Sequence, residues 1–125
     1  MPFTQTINYG VTAGGTTRTV TITKTAGQEI NLSETIPALA SDLAIALAFD
    51  KDKLESVVIE ATTTMTLETN SASVPGDSII VAANTPLVWQ KNLHHENPFS
   101  EDVTGLFVTS TDGGTLTINL LIDPT

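Results

Sequence analysis

The chain has 125 residues, a mass of 13.2 kDa and no cysteine. That length reads as one domain, able to bury a core without disulfides or thiolate-held metals, and suits a reducing cytoplasm. With 14 Asp and Glu against 5 Lys and Arg, the net charge of −9 repels phosphate backbones and anionic lipid, so neither nucleic acid nor membrane is an expected partner.

The opening MPFTQTINYG lacks the basic start and apolar middle of a signal peptide. No apolar run approaches the ~18 residues of a membrane span. Threonine, valine and isoleucine are abundant and runs of helix formers are sparse, so the expectation is all-β. FTQTINYGV alternates and sets Phe3, Gln5, Ile7 and Tyr9 on one face. TAGGTT turns the chain.

TRTVTITKT alternates again, with Thr17, Thr19, Thr21, Thr23 and Thr25 on one side. Val20 and Ile22 lie on the other, between Arg18 and Lys24, whose stems let the charges reach water. The threonine row is either a recognition ladder for ice, sugar or a partner, or the wet side of a strand whose Val20 and Ile22 pack a core. The second reading is preferred, because sheet twist spoils a flat hydroxyl array and no repeat stacks further ladders beside it.

EINLSETI follows as a strand with Ile30 and Leu32 on one side. SDLAIALAFD is ambiguous. Leu39, Leu43 and Leu47 have helical spacing, yet Leu43, Ile45, Leu47 and Phe49 alternate strictly with Ala44, Ala46 and Ala48. A strand buried on both sides is preferred. DKDKLES is a polar corner, VVIEA and TTTMTLET are strands, and NSASVPGDS is a loop turning at Pro75–Gly76. IIVAA and PLVWQKN read as a hairpin around Asn84, Thr85 and Pro86, and LHHENPFSED as an irregular polar stretch. VTGLFVTS and TLTINLLID flank TDGG, the strongest hairpin signal in the chain.

Strands at this spacing predict a single-domain antiparallel β-sandwich, jelly-roll-like, of about 8–10 short strands. Residues 1–10 are expected to form an N-terminal strand or docking arm, and residues 11–125 the sandwich domain.

Chemistry is harder to place. His94, His95 and Glu96 are the only cluster of metal-ligand types, but neighbours on a strand point to opposite faces and no further ligand has recognisable spacing. A surface loop is the preferred reading, and no metal is expected. Asp50 to Glu55 superficially matches a calcium loop without its glycine or distal glutamate. Asp50 and Asp52 are the first candidates should an acidic site exist. There is no nucleophile elbow and no phosphate cradle, and no convergent set can be named, so the expectation is a non-enzyme without cofactors. The few aromatic residues argue against a sugar platform. Trp89, with Leu87 on its own face, is read as a core or subunit-contact residue.

The succession MTLETNSASVPGDSIIV, TPLVWQKN, NPFSEDVTGLFVTS and GTLTINLLIDPT resembles small tailed-bacteriophage capsid decoration, or cement, proteins. It spans Met65–Thr125, about half the chain. The resemblance implies a β-sandwich subunit, often trimeric, on a capsid exterior. The expected partners are the major capsid protein and two further copies in a homotrimer. The expected location is the virion, after assembly in the host cytoplasm. It carries over no residue-level site. Interface candidates are Phe3, Ile7, Tyr9, Trp89 and Phe99. A head-fibre or tail-associated sandwich, and a carbohydrate-binding or adhesin module, are the alternatives.

Overall fold

Ten strands in three antiparallel sheets build the molecule, described by a computed structural model over residues 2–92 and 95–123. They are β1 (Phe3–Ala13), β2 (Thr16–Ala26), β3 (Gln28–Ile36), β4 (Ala40–Ile45), β5 (Leu54–Ala61), β6 (Met65–Thr69), β7 (Ser78–Val81), β8 (Leu87–Gln90), β9 (Leu106–Ser110) and β10 (Gly114–Ile122). Among the described residues the only helical element is a 3-10 turn at Lys51–Lys53, in the expected polar corner.

β3 to β10 form the body. One sheet has the order β3-β10-β5-β8 and the other β4-β9-β6-β7. Counted from β3, the first strand pairs with the eighth, the third with the sixth, and the second with the seventh. That is the strand order of a jelly roll, so the all-β sandwich expected from strand spacing is the fold observed. Inward residues of the first sheet (Val57, Ile59, Leu116, Ile118, Leu120) meet those of the second (Ile45, Met65, Leu67, Leu106, Val108) in one dry cluster. Each such side chain contributes about 1.5–3 kcal/mol by leaving water.

Two expected hairpins do not form. TDGG does not join paired strands: β9 lies in the second sheet and β10 in the first. Strand length gives the reason. β10 has nine residues and β9 only five. Pairing those two alone would strand backbone groups of β10, whereas β3 and β5, of nine and eight residues, satisfy it on both sides. Gly113 (φ 72°) and Gly114 (φ 148°) instead carry the chain across the sandwich. The Gly113 N–H donates to Ser110 Oγ at 3.0 Å, and its carbonyl accepts from Thr63 Oγ1 at 2.6 Å.

The turn at Asn84 behaves likewise. β7 pairs with β6 and β8 with β5, so Ala82 to Pro86 cross between sheets, with Asn84 at φ 53° donating its N–H to the Ala61 carbonyl. SDLAIALAFD is in part the strand expected: β4 ends at Ile45, with a break in register beside Asp42 (φ 50°), Phe49 adds a single bridge to Val103, and the segment is covered on one side only, not both. Ile45, Leu47 and Phe49 are buried, while Ala44, Ala46 and Ala48 face solvent.

β1 and β2 stand apart as a two-stranded sheet closed by Gly14–Gly15, both at positive φ. These are the backbone angles a two-residue hairpin turn demands.

Candidate functional site: a projecting hairpin arm

The β1–β2 register sorts this hairpin into two unlike faces. On one lie the pairs Thr4–Thr25, Thr6–Thr23, Asn8–Thr21, Gly10–Thr19 and Thr12–Thr17. Their side chains bond across the strands: Thr4 to Thr25 at 3.0 Å, Thr6 to Thr23 at 3.1 Å, Thr12 to Thr17 at 2.9 Å, and Thr21 to Asn8 at 2.7 Å. Every one of these residues is exposed. The threonine ladder is therefore a double rank that satisfies part of its own hydrogen bonding.

The other face carries Gln5, Ile7, Tyr9 and Val11 against Arg18, Val20, Ile22 and Lys24. Its root sits on the outer side of the first sheet. The Tyr9 hydroxyl donates to Gln90 Oε1 at 2.9 Å, Gln90 Nε2 donates to the Ile22 carbonyl at 3.4 Å, and Ser56 Oγ donates to Gln5. Ser56 and Gln90 pair across β5 and β8 and are fully buried, as is Leu121 in register with Ser56. Burial beside this network pushes the Tyr9 hydroxyl pKa above its ordinary value.

The anchoring then stops. Gly10 to Thr21 are all exposed, Val11 by 64% and Val20 by 58%. Because the last bonds from the arm reach Gln90 on the edge strand β8, the tip overhangs that edge. The four residues after Tyr9 give it a reach of about 14 Å. Here the structure corrects the expectation for Val20 and Ile22. β2 belongs to no sandwich sheet, and only Ile22 of the two is half-buried. Alternation identified the apolar side correctly but could not say that nothing in the same chain covers Val20.

Charge divides at the same place. The hairpin holds Arg18 and Lys24 and no acid, a charge of +2. All 14 acids and the other three bases follow it, a charge of −11, which restores the total of −9.

The five expected interface residues do not make one surface. Phe3, Ile7 and Tyr9 lie on the arm, Phe3 exposed and the others half-buried. Trp89 and Phe99 are core residues and present little surface to a partner. The Trp89 indole N–H donates to the His95 carbonyl at 3.0 Å, and Phe99 meets Phe49 edge-on with ring centres 5.0 Å apart. The arm itself, expected over residues 1–10, runs on to Ala26 as a hairpin. Val11 and Arg18, at its tip, were not singled out as interface residues. The signal for them was the acid-free composition of residues 3–26.

The remaining candidates are accounted for locally. His94 lies outside the described residues. His95 and Glu96 are exposed, and among the described residues no group of three or more His, Asp or Glu is placed to hold a metal ion. Asp50 and Asp52 engage Lys53 at 3.7 Å and Lys51 at 2.8 Å. The hydrogen bond from Lys51 holds the Asp52 carboxyl below its usual range and raises the lysine in return. No helix of the described residues is long and apolar enough to cross a membrane.

The double threonine rank makes a direct prediction. Changing Thr19 and Thr21 together to lysine removes one exposed cross-strand bond and should cost no more than about 1 kcal/mol in a thermal melt. A larger loss would mean that this face is covered. Loss of partner binding with folding intact would make the ladder an interface.

No protein-family model, curated protein or solved structure matches the chain.

Proposed function

We propose that the protein is a non-enzymatic virion structural subunit that binds the exterior of an assembled phage capsid and stabilises it. The observation that carries this reading is the arm: a two-faced hairpin, anchored at its root and bare at its tip, on a densely cored body. The tip, exposed on both faces, lacks the cover that two-stranded ribbons need in water, and a partner would supply it. Jelly rolls serve both viral shells and lectins, so the fold alone does not choose between them. The aromatic residues favour the shell: Trp89, Phe49 and Phe99 are buried, Tyr9 is half-buried with its hydroxyl bonded to Gln90, and exposed Phe3 and half-buried Phe107 lie on different sheets and form no shared platform. The resemblance of the second half of the chain to capsid decoration proteins points the same way. The partners proposed are the major capsid protein and further copies of this chain.

A ligand that binds only the assembled shell stabilises it by mass action. Calorimetry of empty phage capsids, taken from a phage whose genome carries this sequence, tests this. Saturating protein should raise the disassembly temperature, and an unchanged transition would refute the reading.

A further inference from the structure

The outer face of the second sheet carries a surface complementary to the arm tip. Phe107 of β9 lies there between Ala44 and Glu68, and Ile80 of β7, 70% exposed, pairs with Thr66 beside them. Asp42 reaches the same face through Thr109, whose hydroxyl bonds its backbone N–H at 3.1 Å and its carboxylate at 3.4 Å. Glu68 lies on the same outer face, in register with Phe107. Partial desolvation, then the Asp42 contact, push the Glu68 carboxyl above its usual range. No Lys or Arg occurs on β4, β6, β7 or β9. The face thus offers the carboxyl groups of Asp42 and Glu68 beside exposed Ile80 and half-buried Phe107, with no cation on its own strands.

The arm tip presents the converse. Val11 pairs with Arg18 across the hairpin, Val20 follows two residues later on the same face, and no ion pair engages Arg18 among the described residues. We propose that this tip docks on the outer face of the second sheet of another copy of the chain, with Arg18 between Asp42 and Glu68 and the two valines against Phe107 and Ile80.

The occupant is a second copy because the two surfaces lie on opposite sides of one body. The arm root rests on the first sheet, so its tip would have to fold around the β8 edge and turn over to reach its own target. Charge supports the same choice, the hairpin at +2 meeting a body at −11. The contact is head-to-tail and closes into a ring or extends as a chain. Many copies held side by side on a shell would raise its effective strength. The inference rests on the hairpin being an attachment arm, not on a capsid being its destination, and it is tested without capsid.

Sedimentation equilibrium of the full chain at low salt should show concentration-dependent self-association that weakens as salt rises. Arg18→Glu and Glu68→Arg, each placing like charges at the contact, should each weaken it at least about tenfold. Both positions lie outside the core, so their melts should stay near that of the wild type. Mixing the two variants should restore association, because the Arg18 arm of one then meets the Asp42–Glu68 face of the other. A wild type that is monomeric at every concentration would overturn the proposal. So would either variant associating like the wild type, or a mixture of the two that remains monomeric.

Discussion

Replacing Gly113 by alanine should lower stability by at least about 3 kcal/mol, a fall in melting temperature of roughly 10 °C for a domain of this size. A β-carbon there would sit 2.6 Å from the Ala38 nitrogen, 2.7 Å from the Ile36 carbonyl oxygen and 2.8 Å from the Pro37 carbonyl carbon. All three are backbone atoms, so no rotamer change relieves the contact. The residue also holds φ at 72°, which any side chain resists. Relief would require moving the end of β3 or the crossing into β10, and with them the bonds from Gly113 to Ser110 and Thr63. Gly14→Ala is the control. Its φ is similar at 59°, but nothing lies within 4 Å of the added carbon, so about 1 kcal/mol is expected. Equal melting temperatures for the two variants would show that the crossing is not built as described.

Leu120→Ala should cost about 3–5 kcal/mol. Leu120 is fully buried on the central strand β10, in register with Ile30 on one side and Val57 on the other. Strands flank it on both sides and the opposite sheet lies across the core, so the site cannot collapse around a cavity. The same truncation at Ile80, 70% exposed on an edge strand, should change stability by less than about 0.5 kcal/mol. Chemical denaturation separates the two cases. A small loss at Leu120 would mean that the two sheets are not closely packed there.

Much of the body was legible because period-two patterning survives wherever one face of a strand is buried. Ile45, Leu47 and Phe49 against three exposed alanines show how well alternation reports an inward side. Pairing was less legible, since turn chemistry reports a change of direction and not the sheet the chain enters next. Gly113–Gly114 carries a hairpin composition and serves a crossover, because the nine residues of β10 need partners of their own length. The arm was the least legible element. Its apolar side has the same alternation as a core strand, and only the tertiary placement of Tyr9 and Ile22 over Gln90 shows where cover ends. The docking face around Phe107, Asp42 and Glu68 was invisible for a related reason. It draws on β4, β6, β7 and β9, which meet only in the folded sheet.

The proposed role is tested most directly by co-sedimentation with empty phage capsids, taken from a phage whose genome carries this sequence. A shortened-arm variant serves as comparison, lacking Gly10–Ala13 and Thr16–Thr19. That deletion leaves Tyr9 and Val20, already partners, flanking the Gly14–Gly15 turn, so the root and its bonds to Gln90 are kept. Wild-type protein should pellet with the capsids at a saturating, fixed ratio, and the shortened variant should pellet less while melting near the wild-type temperature. Wild-type protein that stays in the supernatant with assembled capsids, while binding immobilised glycans, would contradict the decoration role and favour a carbohydrate-binding module.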